Sequence, residues 1–121
     1  MNIYESAEDY LERILILKQE NGKVISLDIA NSMGYSKASV SRAMKNLREN
    51  NYITVNGLGE IELTKSGLEI ANKIYERHQV LSSLLMDLGV SEEVAKKDAC
   101  KIEHDLSVET FEAIKKRYIN K

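Results

Sequence analysis

The chain has 121 residues and 43% hydrophobic content, enough for one compact core or for two small lobes sharing a long helix. Its 17 basic and 19 acidic residues give a formal net charge of −2, which excludes a wholly basic nucleic-acid binder. One cysteine excludes an internal disulfide framework, and no basic leader or run of bilayer length is visible, so a cytoplasmic protein without a membrane partner is expected.

The first helix is expected to start at a Ser6 cap, with Glu8 and Asp9 in its first turn. Its apolar residues Ala7, Tyr10, Leu11, Ile14 and Leu17 recur at helical spacing up to Asn21-Gly22. Asp9 and Glu12 are i, i+3 neighbours on one face; taken alone, Asp9 serves the helix dipole and Glu12 is solvated. This stretch is acidic, with Glu5, Glu8, Asp9, Glu12 and Glu20 against Arg13 and Lys18.

A short helix follows over 26–33, with Ile29, Ala30 and Met33 facing inward and Gly34 at the left-handed stop. Ser36 caps a third helix whose Val40, Met44 and Leu47 form a core stripe. Two helices joined by a tight glycine-containing turn make a helix-turn-helix pattern.

The opposite face of the third helix carries Ala38, Arg42, Lys45 and Asn46, flanked by Ser39 and Ser41, with Lys37 near its start. Lys37, Arg42, Lys45 and Arg48 face only one nearby acid, Glu49. Small residues at the N-terminal end permit close approach to the major groove, where Arg42 can read guanine and Lys37 or Lys45 can meet phosphates. The alternative is a merely solvated polar helix. Helix geometry and local charge agree on double-stranded DNA, with Ser36, Lys37, Ala38, Ser39, Ser41, Arg42 and Lys45 as the candidate contacts.

Asn51 ends this helix. Tyr52-Ile53-Thr54-Val55 and Glu60-Ile61-Glu62-Leu63 then alternate around Asn56-Gly57-Leu58-Gly59, as a β-hairpin in the place of a wing. Its tip has no basic residue, which leaves backbone N–H groups or Asn56 for any phosphate contact.

Thr64 caps a long fourth helix to about Leu88, stopped by Gly89, with the stripe Ile70, Ile74, Leu81, Leu84, Leu85 and Leu88. His78 lies on this stripe, where a lone histidine is ordinarily a satisfied core residue. Ser91 caps a fifth helix with the apolar face Ala95, Ala99, Ile102 and Leu106. A last helix after Ser107 carries Val108, Phe111, Ile114 and Tyr118.

Cys100, Glu103 and His104 stand at i, i+3 and i+4 of the fifth helix, so a thiolate, a carboxylate and an imidazole project from one face that can hold a metal. Individually these are a small buried hydrophobe and a solvated edge. The chain holds only 2 histidines and 1 cysteine, however, and two of the three fall in this turn. The expected architecture is mainly α: an N-terminal winged helix-turn-helix over residues 1–63, then an all-α metal-binding and dimerisation domain over 64–121.

The sequence resembles the DtxR/MntR family of metal-dependent repressors along nearly its whole length. The resemblance rests on Glu8-Asp9-Tyr10-Leu11-Glu12-Arg13-Ile14, Asp28-Ile29-Ala30, Ser36-Lys37-Ala38-Ser39-Val40-Ser41, Leu63-Thr64-Lys65-Ser66-Gly67, the His78 region and, most specifically, residues 98–107. It implies a homodimeric winged-helix repressor rather than an enzyme, with a divalent cation as corepressor and a palindromic DNA operator as partner, and with no small-molecule substrate. Carried over position by position, it assigns Asp9, Glu12, His78, Cys100, Glu103 and His104 as metal ligands. The match is to the short, two-domain type without an SH3-like domain. Asp9 follows the manganese type and Cys100 the iron type, while Ser82 and Lys96 stand where the iron type has ancillary ligands, so that ancillary site is not expected.

Carboxylates and imidazole suit Fe²⁺ or Mn²⁺, and the thiolate shifts preference toward Fe²⁺, Co²⁺ or Zn²⁺. Iron or manganese is the expected corepressor, with Co²⁺, Ni²⁺ or Zn²⁺ as substitutes in vitro. Two rival readings stay open: a metal-independent winged-helix regulator with a structural ligand cluster, and an enzyme using Cys100 and His104. Adjacent turns of one helix offer the latter no evident oxyanion hole.

Overall fold

The computed structural model describes residues 3–119; Met1, Asn2, Asn120 and Lys121, at the ends of the expected domains, lie outside it. The elements run α1 (Ile3–Asn21), α2 (Ser26–Met33), α3 (Lys37–Glu49), β1 (Ile53–Val55), β2 (Ile61–Leu63), α4 (Lys65–Asp87), α5 (Glu92–Ile102) and α6 (Val108–Ile119). Two compact units divide the chain, residues 1–72 and 73–121, with the division inside α4. Among the described residues, no helix is long and apolar enough to cross a membrane.

The first unit is built around Leu11, Ile14, Val24, Ile29, Val40, Ile53 and Ile61, all fully buried. α1 begins at Ile3, so Ser6 lies inside the helix and does not cap it. No glycine or proline interrupts Ile3-Tyr4-Glu5, and the first turn simply continues back through them. α2 closes on Gly34, at φ 71°, whose N–H and that of Tyr35 both reach the Ala30 carbonyl. α3 starts at the Ser36 cap, whose hydroxyl accepts the Ser39 N–H at 3.1 Å, and buries Val40, Met44 and Leu47.

Asn51, at φ 63°, takes the left-handed turn out of α3 into the hairpin. There β1 and β2 pair antiparallel in the register Ile53↔Leu63, Thr54↔Glu62, Val55↔Ile61. Period-two alternation puts Ile53 and Ile61 in the core and exposes Thr54 and Glu62. The Ile61 N–H also donates to the Val24 carbonyl at 2.8 Å, which ties the hairpin to the segment before α2. Gly67 sits so close to the hairpin entry that a Cβ there would lie 2.0 Å from the Tyr52 carbonyl oxygen.

In the second unit Ile74, Leu81, Ala95, Ala99 and Phe111 are buried. Ser91 and Ser107 cap α5 and α6 by accepting the N–H groups of Val94 and Thr110. Two residues of the expected apolar stripes differ. α4 stops at Asp87 and Leu88 is 72% exposed, while Val108, at the start of α6, is 57% exposed. α5 ends at Ile102, so Glu103 is its C-cap and His104 lies in the following turn.

Candidate metal centre and DNA-reading face

His78, Cys100 and Glu103 converge in the second unit, with potential ligand atoms of all three within 4.8 Å of one another. His78 comes from the middle of α4, Cys100 from the last turn of α5 and Glu103 from its C-cap. His78 Nδ1 lies 3.0 Å from Glu103 Oε2 and 3.8 Å from Cys100 Sγ. The Glu103 side chain is 0% exposed, and its Oε1 has no hydrogen-bond partner. Such an orphaned carboxylate oxygen is costly unless a cation or donor meets it. An imidazole nitrogen, a thiolate sulfur and a buried carboxylate form a donor set suited to a borderline divalent transition metal, so the residues present fit one.

Contacts with Cys100 and then Glu103 push the His78 imidazole up from 6.5 to about 10, against the opposing effect of its burial. A cation held by these three residues would supply positive charge in place of that proton.

The helical i, i+3, i+4 geometry holds for Cys100 and Glu103, and α4 brings His78 to them. His104 is oriented by the turn after α5: its imidazole is 2% exposed, with Nε2 at 3.6 Å from Glu103 Oε1. Asp9 and Glu12 project from α1 in the first unit, Asp9 half-buried and Glu12 buried. Lys96, at an ancillary position, forms an i, i+4 ion pair with Glu92 at 2.8 Å on α5, and Ser82 is buried.

One residue escaped the sequence reading. Arg77 is 5% exposed, and its Nη1 donates to the carbonyls of Glu103 at 3.0 Å and Leu106 at 2.8 Å, while its guanidinium carbon lies 5.2 Å from the Phe111 ring centroid. The available signal was a charged residue three positions after Ile74 and four before Leu81, on an apolar stripe.

On the first unit, Ser36, Lys37, Ala38, Ser41, Arg42 and Lys45 are exposed and Ser39 is half-buried, opposite the buried stripe of α3. The Ser36 hydroxyl donates to Ser39 Oγ at 2.9 Å, and Arg42 Nη2 donates to the same oxygen at 3.4 Å. This holds the Arg42 fork along the helix face. At the hairpin tip, Asn56 Oδ1 accepts the N–H groups of Leu58 and Glu60, and its amide donates to Glu60 Oε1 at 3.0 Å, so its polar atoms shape the turn.

Residues 2–59 match the family model described as iron dependent repressor, N-terminal DNA binding domain, and residues 64–120 match that of the iron dependent repressor, metal binding and dimerisation domain. The chain belongs to the iron-dependent repressor family of metal-responsive, DNA-binding transcriptional regulators. It is 35% identical over 113 residues to an HTH-type transcriptional regulator of Methanocaldococcus jannaschii, covering 92% of this chain and 90% of that protein. It is likewise 35% identical over 111 residues to the transcriptional regulator MntR of Escherichia coli O6:H1, covering 92% of this chain and 72% of the relative. A manganese-dependent transcriptional repressor solved in complex with manganese matches with a TM-score of 0.84 at 26% identity, over 93% of this chain and 52% of that one. The chain thus spans about half the length of that solved structure.

Proposed function

We propose that this protein is a repressor that binds a palindromic operator as a homodimer when a divalent cation, iron or manganese, occupies a centre formed by His78, Cys100 and Glu103. The observation that carries this reading is the buried Glu103 carboxylate, with one oxygen making no hydrogen bond and the other 3.0 Å from His78. Asp9, Glu12 and His104 are the further ligands that the family resemblance assigns. When bound, the cation supplies the positive charge that such an anionic donor set lacks.

The chain's own residues do the rest. His78 would hold the ion through a ring nitrogen, Cys100 through its sulfur, which favours iron over manganese, and Glu103 through a dry carboxylate. Ser36, Lys37, Ala38, Ser39, Ser41, Arg42 and Lys45 meet the DNA, with Arg42 reading a base edge and the lysines meeting phosphates. In a symmetric dimer two copies of α3 must meet half-sites at a set spacing, so a ligand that selects one arrangement of the subunits selects binding.

Anaerobic calorimetric titration of the metal-free protein with Fe²⁺ and with Mn²⁺ tests the centre. Saturable binding, weakened in both His78→Ala and Cys100→Ala, is expected. Equal binding by the wild type and both variants would remove the centre and leave a metal-independent winged-helix regulator.

A further inference from the structure

Building on that reading, we infer that Arg77 is the positioning residue of the metal centre: it fixes the main chain of Glu103 from α4, so that the ligand carboxylate stays beside His78 and Cys100.

Glu103 is held by its main chain from both sides. Its N–H donates to the Ala99 carbonyl at 2.9 Å, as the last bond of α5, and its carbonyl accepts from Arg77 Nη1 at 3.0 Å. The same nitrogen donates to the Leu106 carbonyl at 2.8 Å, closing the turn that contains His104. The Glu103 carbonyl lies at the C-terminus of α5, where orphan acceptors and the negative end of the helix dipole collect, the Leu106 carbonyl lies in the turn before α6, and one guanidinium answers both.

A buried guanidinium beside a buried carboxylate ordinarily forms a forked ion pair with it. Here one guanidinium nitrogen, Nη1, engages the main chain of Glu103 while Nε makes no hydrogen bond, and the Glu103 side chain turns to His78. Arg77 therefore holds the ligand residue without occupying its ligating oxygens.

Burying a charge is costly, and an apolar side chain of similar volume would serve packing alone. Two carbonyls on one turn call for a directional donor. Arg77 also adjoins His78 in the chain, so α4 carries both a ligand and the anchor for the opposing ligand. Partners beyond the ligands themselves commonly tune metal affinity by about 10- to 100-fold. Because the guanidinium rests over Phe111 at 5.2 Å, α6 becomes a second handle on the same geometry.

The test is anaerobic titration of the full chain with Co²⁺, reading both affinity and the ligand-field and thiolate charge-transfer bands per bound ion. Arg77→Met is expected to bind Co²⁺ about 10- to 100-fold more weakly, with an altered spectrum and preserved helical circular dichroism; Arg77→Lys, keeping one donor, is expected to fall between. Wild-type affinity and spectrum in folded Arg77→Met would overturn the inference. If that variant does not fold, Arg77→Gln decides: it keeps a polar side chain but is too short to reach both carbonyls, so weaker binding with a changed spectrum supports the inference and unchanged binding and spectrum overturn it. Glu103→Gln serves as control. Unaltered Co²⁺ binding there would remove the metal centre itself and the Arg77 role with it, whereas loss in Glu103→Gln without change in Arg77→Met removes the Arg77 role alone.

Discussion

At the residue scale, the candidate centre is governed by a competition for His78. Its imidazole is pushed up to about 10 by the Cys100 sulfur and the Glu103 carboxylate, so it is an imidazolium in the metal-free protein at neutral pH. The sign follows from a raised folded-state value: the contact contributes its full stability below about 6.5, and that stability is lost as pH rises through about 10. A cation must displace this proton. Metal binding at pH 7 to 8 is therefore expected to release a proton from His78, with apparent affinity rising with pH by up to about tenfold per unit. Calorimetry in buffers of different ionisation enthalpy measures the release, and a buffer-independent heat would contradict it. Cys100 and Glu103 were legible as a pair because i, i+3 spacing is local. Arg77 was not, because its partners stand 26 and 29 positions away.

The element scale explains why caps and turns were readable and helix ends less so. Ser36, Ser91 and Ser107 each accept an N–H three residues on, a purely local bond. The end of α5, by contrast, coincides with carbonyls that Arg77 takes from another helix. An extrapolated helix ran on through His104, whereas α5 ends at Ile102, with Glu103 as its C-cap and His104 in the following turn. Gly67 shows a different limit. Nothing local demands glycine in the first turn of α4, yet a Cβ would meet the Tyr52 carbonyl at 2.0 Å. The same junction is stitched by Thr64 and Ser66, whose hydroxyls both donate to the Asn51 carbonyl. Gly67→Ala must push the junction apart and is expected to lower stability by roughly 1–3 kcal/mol, read as a reduced urea midpoint at unchanged slope. An unchanged midpoint would contradict that contact. On α3, Arg42→Ala is expected to weaken operator binding by about 1–3 kcal/mol and relax preference at one base pair, whereas Lys45→Ala weakens all sequences alike and lowers the salt slope by about one. Equal losses on all sequences for Arg42→Ala would reassign it to the backbone.

At the scale of the whole molecule, a net charge of −2 coexists with a local basic face on α3, so DNA binding is expected to be strongly salt-dependent despite the acidic total. We propose that assembly runs through the second unit. Met86, Leu88 and Val94, near the end of α4 and the start of α5, are 37%, 72% and 47% exposed, apolar side chains that a second copy would cover. The sequence placed Leu88 on an internal stripe because helical periodicity identifies an apolar face without saying which molecule buries it. Leu88→Glu is expected to shift sedimentation from dimer to monomer and to abolish high-affinity operator binding while leaving metal binding intact. A dimer that survives this change would move the interface elsewhere.

The most direct test of the metal switch is selection of duplexes from a random DNA pool, under anaerobic conditions with Mn²⁺ or Fe²⁺, followed by fluorescence anisotropy on the selected site with metal and with chelator. The account predicts a two-fold symmetric site bound at least tenfold more tightly with metal, with the difference lost in His78→Ala and Cys100→Ala. Equal affinity with metal and with chelator would contradict it.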